Sequence, residues 1–323
     1  MSWVALRCAR LARATAFSPR GHDTLRALTA LACASFVLAA CGNDPGPVDN
    51  VTPYFEFDYV ANRPRGARPF FSFFVTSQAG LFGLPAGRWS PAPDPLNGFG
   101  GNLGGLAGAD EICSMLAQRS NPGDTKVWRA FLSTSGLFGG ARVDAIDRIG
   151  KGPWYDFEGF RLAPKLADLL PPDPIEGRPP GAEPRLAAMF TGENGEDARV
   201  STSIDNHDTL TGSGKDGRLF DDRESGRVAT CQDWTSTSVR GEPGNSFGMG
   251  GQVPVGHSWP RNNVEGRHWI SEHTINGCEA GVDIDGGTAA PRNDFRVGAA
   301  GGYGGFYCFA LNAIPPTASE PLP

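Results

Sequence analysis

The chain has 323 residues, 40% of them hydrophobic, with 29 basic and 35 acidic side chains and a formal net charge of −6. Beyond residue 40 the balance is 24 basic to 34 acidic, because Arg7, Arg10, Arg13, Arg20 and Arg26 precede it with only Asp23 against them, and the net charge becomes −10. So acidic a chain, without a basic stripe, argues against nucleic acid or an anionic membrane surface as a charge-held partner. Glycine and proline, 44 and 27 of the residues, favour turns, while 7 tryptophans argue for a packed core hung with long loops.

Ala27 to Ala40 is an uncharged run of fourteen residues preceded by arginines. It is shorter than the roughly 20 residues of a membrane span and has the form of the apolar region of an export signal. Its close, Leu38-Ala39-Ala40-Cys41-Gly42, resembles the lipobox of bacterial lipoproteins, in which the cysteine is lipid-modified and becomes the first residue. That resemblance implies a signal peptide over 1–40, a lipidated Cys41 and a membrane partner reached through the lipid. Gly42 resembles outer-membrane sorting, so the expected location is the bacterial cell envelope, at the outer membrane. Residues 41–68, rich in Pro, Gly, Asn and Asp, read as a tether, with the aromatic-acidic stretch Tyr54–Tyr59 inside it.

Pro69–Ser77 is aromatic and β-branched, and predicts the first strand of the globular part. The glycine run Gly98–Gly105 lacks the Gly-Lys-Ser/Thr ending of a phosphate loop. Asp110 and Glu111 are expected to open the helix that follows, where carboxylates complement the dipole, with Ile112, Cys113 and Leu116 as its buried stripe. Val127–Ser133 predicts a second strand, and Pro164 a second short helix through Leu166, Leu169 and Leu170. Residues 171–185 read as a proline-rich surface loop, Leu186–Gly192 as a strand, and 194–224 as a long polar excursion.

Once Cys8 and Cys33 leave with the leader and Cys41 takes lipid, Cys113, Cys231, Cys278 and Cys308 remain. An even number in an exported chain argues for two disulfides, and four cysteines allow three connectivities. Their order, one cysteine on a helix and then three on the late strands, resembles that of the C-type-lectin-like fold, and more closely its endostatin-like branch, also seen in bacterial surface lipoproteins of unassigned function. The motifs that carry the resemblance are Gly101–Asp110, Trp128 with Leu132-Ser133, Asp147-Arg148-Ile149, Cys231-Gln232-Asp233-Trp234-Thr235-Ser236 and Phe306-Tyr307-Cys308-Phe309. The resemblance implies an α+β fold with small twisted antiparallel sheets, two helices and long loops over residues 69–312, followed by a tail at 313–323. It also implies the pairs Cys113–Cys308 and Cys231–Cys278, and makes Glu279–Gly304 an insertion.

Lectins of that fold hold calcium, and through it sugar hydroxyls, on a Glu-Pro-Asn type triplet, and Glu242-Pro243-Gly244-Asn245 comes close to one. Glu242, Asn245 and Trp259 are therefore the expected ligand contacts, with Trp89 and Trp154 as further loop tryptophans, whereas Trp128, Trp234 and Trp269 read as core. Asp283-Ile284-Asp285 before a glycine turn suits a structural calcium, and no other cofactor is expected. Asp205, Asp208, Asp221, Asp222 and Glu224 form a second acidic field read as solvated. His207, His257, His268 and His273 include no pair at the spacing of a helical zinc site. No nucleophile elbow or triad spacing is present. The expected function is a non-catalytic, lipid-anchored surface binding protein whose ligand is a polysaccharide or a protein. The alternatives are a formylglycine-generating type of oxidoreductase, suggested by the resemblance of Gly305-Phe306-Tyr307-Cys308 to its C-terminal pattern, and a purely structural envelope protein.

Overall fold

The computed structural model describes residues 68–84, 97–171, 177–201, 204–222, 227–228, 230–237, 253–260, 268–282 and 295–312. The sequence expectations for the leader, Cys41, the tether, Trp89, Glu242, Asn245, Asp283 and Asp285 lie outside these residues. The architecture is α+β, and among the described residues it has one six-stranded sheet and three two-stranded ones, which pair β3 (Thr134–Ser135) with β4 (Arg142–Val143), β5 (Trp154–Tyr155) with β6 (Arg161–Ala163), and β8 (Asp221–Asp222) with β9 (Arg227–Val228). Among the described residues no helix is long and apolar enough to cross a membrane.

The main sheet is built on β12 (Gly302–Ala310), whose nine residues are all buried. β1 (Phe73–Val75) and β2 (Trp128–Ala130) pair antiparallel with its C-terminal half, and β7 (Asp208–Leu210) runs parallel to its start. From β7 the sheet continues antiparallel through β10 (Val253–His257) to β11 (His273–Ile275). Side chains alternate across a strand, and here both faces are covered. Phe74, Phe306, Cys308 and Ala310 face one core, and Phe73, Val75, Tyr307 and Phe309 face the other. This is why Phe70–Val75 and Phe306–Phe309 read as nearly unbroken aromatic runs.

The first core is closed by the helix α2 (Gly105–Ser120), which follows a one-turn helix α1 (Gln78–Phe82). Ala109, Ile112, Cys113, Leu116 and Ala117 form its buried stripe, as the helical period requires. The helix begins at Gly105, so Asp110 and Glu111 stand in its second turn and not at its opening. Asp110 is a tie instead: its Oδ1 accepts the Ala130 N–H at 2.9 Å, and Nη2 of Arg148 donates to both its oxygens at 3.0 and 2.8 Å. Arg148 comes from the short helix α3 (Ala145–Arg148) and also reaches the Ala130 carbonyl. Helix α2, β2 and α3 are thereby locked by one carboxylate.

Both disulfides form in the pairing the resemblance implied. Cys113–Cys308 joins α2 to β12, and Cys231–Cys278 closes a 47-residue separation. Cys231 was expected on a late strand. It opens a left-handed turn instead, with φ of 48°, 56°, 55° and 67° from Cys231 to Trp234. Left-handed backbone costs a non-glycine residue roughly 1–2 kcal/mol, so the turn needs external support. Asp233 supplies much of it by accepting the N–H groups of Ser135 and Gly136 and the hydroxyls of Ser135 and Thr230. Trp234 adds an indole N–H bond to the Ser133 carbonyl at 2.7 Å.

Four other expectations are corrected. Leu186–Ala188 belong to a helix, α4 (Pro184–Ala188), not a strand, because Pro184 suits the first helical turn and alanine and leucine extend it. Pro164 is followed by a single 3-10 turn, Leu166–Asp168. Within 171–185, Arg178 is half-buried and tied down, not free on a loop: its guanidinium lies 3.8 Å from the Phe190 ring centre and donates to the carbonyls of Leu186, Ala187, His257 and Ser258. Burial lowers its pKa to about 10. Finally, the polar stretch 194–224 contains β7, a central strand of the main sheet.

Asp156 carries a pH prediction. Its Oδ1 accepts the N–H groups of Glu158, Gly159 and Phe160, and its Oδ2 the Thr191 hydroxyl, between β5 (Trp154–Tyr155) and β6 (Arg161–Ala163). Burial outweighs these donors and pushes the carboxyl up to about 6. The folded state therefore binds the proton more tightly than the unfolded chain, and the cost of burying the charge disappears as pH falls from about 6 toward the ordinary value of 3.8. Asp156→Asn is expected to flatten the stability profile in that window by up to about 3 kcal/mol, read from denaturant midpoints at pH 4 to 7. A profile identical to that of the parent chain would refute it.

Candidate functional site

The row of apolar side chains that β7, β10 and β11 send toward the first core turns polar at one end. Leu210, Val253, Val255 and Ile275 belong to that core. Two residues along each strand on the same face stand Asp208, His257 and His273. The register brings them together: Asp208 lies opposite His257, and Val255 opposite His273. His207, just before β7, completes the group.

All three imidazoles converge on one carboxylate oxygen. From Oδ1 of Asp208 the Nε2 atoms of His207, His257 and His273 lie at 3.2, 3.3 and 3.0 Å. The rings stand edge to face, with centres 4.0 Å apart for His207 and His257 and 5.1 Å for His257 and His273. His207, Asp208 and His257 are buried, while the His273 side chain is 35% exposed and gives the group its contact with solvent. Buried Nε2 of His207 and Oδ2 of Asp208 make no hydrogen bond.

The electrostatics follow from one anion among three rings. Burial opposes the charge on Asp208, but the imidazoles of His273, His207 and His257 outweigh it and hold the carboxyl far below the usual range. Burial lowers the pKa of His257 despite the neighbouring Asp208. For His273 burial acts in the same sense, yet Asp208 prevails and raises it.

A further layer orients the group. Asp205 Oδ1 pairs with Nδ1 of His207, which leaves Nε2 pointing at Asp208. Gly301 (φ 111°) donates no side chain there, and a Cβ would come within 2.9 Å of the Asp205 carboxyl carbon and 3.0 Å of His207 Cε1. Trp259 packs on His207 with ring centres 5.3 Å apart, and the Arg199 guanidinium covers its ring at 4.9 Å.

These placements revise the sequence reading. Trp259 was expected to be an exposed ligand contact, but it is only 5% exposed and serves as a wall of the histidine group. Trp154 is fully buried, its indole N–H bound to the Ala310 carbonyl. Trp128, Trp234 and Trp269 are core residues as expected. Asp205 and Asp208 belong to this site and are not a solvated acidic field. His268 stands apart: its Nδ1 accepts the N–H groups of Ile270 and Ser271, and burial, with Lys215 nearby, lowers its pKa to about 4.

The group itself was missed. Helical zinc spacing was the wrong template for ligands carried on three strands. The available signal was a histidine at the end of two short apolar-alternating stretches, Val253–His257 and His273–Ile275, together with the dipeptide His207-Asp208. One ligand atom from each of His207, Asp208, His257 and His273 lies within 4.8 Å of all the others, so the four could hold a metal ion. No protein-family model matches the chain, and no curated protein matches it.

Proposed function

We propose that the chain is a non-catalytic, lipid-anchored binding protein of the bacterial envelope, with a C-type-lectin-like domain that displays its loops to a polysaccharide or protein ligand. The signal-like run Ala27–Ala40 ahead of Cys41 supports export and anchoring. The observation that carries the reading over its enzymatic alternative is the state of the cysteines. All four among the described residues are bridged, Cys308 to Cys113 and Cys231 to Cys278, whereas a formylglycine-generating type of oxidation needs reactive thiols. Bridges of this kind suit an exported domain held rigid behind long loops.

With Trp259 in the interior, the proposed contacts rest on Glu242 and Asn245. The test takes the full chain, exported and oxidised, to arrays of envelope polysaccharides and proteins in calcium and then in chelator. Saturable binding is expected, weakened by the double substitution Glu242→Ala and Asn245→Ala. No binding to any probe would overturn the reading in favour of a structural role. A reactive thiol at Cys308 in unreduced protein would overturn it in favour of the oxidoreductase.

A further inference from the structure

We propose that His207, Asp208, His257 and His273 form a binding site for a zinc-type divalent cation that staples β7, β10 and β11. Imidazole nitrogen with one carboxylate is a donor set for zinc and its neighbours among the transition metals, not for calcium, which takes oxygen ligands. The spacing fits as well. Zinc bonds of about 2.0 Å in a tetrahedron place neighbouring donors about 3.3 Å apart, and the three Nε2 atoms lie 3.0–3.3 Å from Asp208 Oδ1. The remaining separations stay within 4.8 Å.

Two further observations point to a ligand. The buried Nε2 of His207 and Oδ2 of Asp208 have no hydrogen-bond partner, and buried polar groups left so are costly unless something else binds them. Asp205, paired with the far nitrogen of His207, occupies the position of the carboxylate that commonly orients a metal-bound histidine. His273, partly exposed, provides the access path.

Four protein donors fill a tetrahedron, and a filled tetrahedron is the mark of a structural site, not a catalytic one. The cation would cross-link three strands whose order in the chain is separated by long segments, and the pairing of β10 between β7 and β11 would be stabilised by its occupancy.

The test is titration of the metal-stripped full chain, purified oxidised and without a histidine tag, with zinc alone. One zinc per chain is expected, unaffected by excess calcium, with a rise in melting temperature. His273→Gln, at the most exposed ligand, should weaken zinc binding by at least about a hundredfold, since loss of an outer partner alone costs about 10–100-fold. Asp205→Asn should weaken it by about 10–100-fold while keeping the stoichiometry. Near-ultraviolet circular dichroism establishes that each variant is folded. Cobalt bound to the unsubstituted chain should show the intense visible bands of four-coordination, a readout that needs no variant. Absence of saturable binding, zinc affinity unchanged by His273→Gln, or a weak six-coordinate cobalt spectrum would each overturn the site.

Discussion

Replacing Cys113 and Cys308 together with alanine is expected to lower the unfolding free energy by about 5 kcal/mol. The two residues are 195 positions apart, so the bridge removes far more freedom from the unfolded chain than a short loop would. For Cys231–Cys278, separated by 47 positions, the same chain-entropy argument gives about 4 kcal/mol. Both residues of the larger bridge are also fully buried between α2 and β12, and shrinking them to alanine leaves space in the first core. Since domains are typically stable by only about 5–15 kcal/mol, the variant should be largely unfolded at modest denaturant concentration. Denaturant midpoints of the oxidised parent and the double variant measure this directly, and coincident midpoints would contradict it.

Trp269→Ala is expected to cost about 3–5 kcal/mol, the range for emptying the site of a large buried aromatic. Its ring is fully buried with centres 5.0 Å from Phe131, 5.3 Å from Tyr307 and 6.1 Å from Phe190. The indole N–H donates to the Leu169 carbonyl at 3.0 Å, and the Trp269 carbonyl accepts the Tyr307 hydroxyl at 2.6 Å. Trp269→Phe keeps much of the ring packing but leaves Leu169 without its donor, a loss of about 1–3 kcal/mol. The difference between the two variants in thermal or denaturant melts separates packing from hydrogen bonding. A change of under about 1 kcal/mol for alanine would show that the second core repacks around the gap.

Much of the scaffold was legible in the order of residues. The aromatic, β-branched run Pro69–Ser77 read as a strand, and the stripe Ile112, Cys113, Leu116 as one face of a helix. The resemblance supplied the disulfide pairing, which geometry alone among four cysteines would have left open. Local patterns failed where the chain is short or strained. β7 is the tripeptide Asp208-Thr209-Leu210 inside a polar stretch, too brief for a period to register. Four consecutive left-handed residues from Cys231 to Trp234 contradict every propensity and exist because Asp233 and the Cys231–Cys278 bridge hold them. Pro184 marks a helix start that an expectation of continuous strand overlooked.

The sequence by itself determined that the chain carries a signal-like apolar run, an acidic balance beyond it, a packed aromatic core and cysteines in even number, because each of these is a property of composition or of neighbours along the chain. Only the tertiary structure decided that His207, Asp208, His257 and His273 converge in one group, and that Trp259 packs against it in the interior. Those residues are brought together by strand register between segments far apart in the chain. A shift of one residue in any of those pairings would turn its side chains to the opposite face.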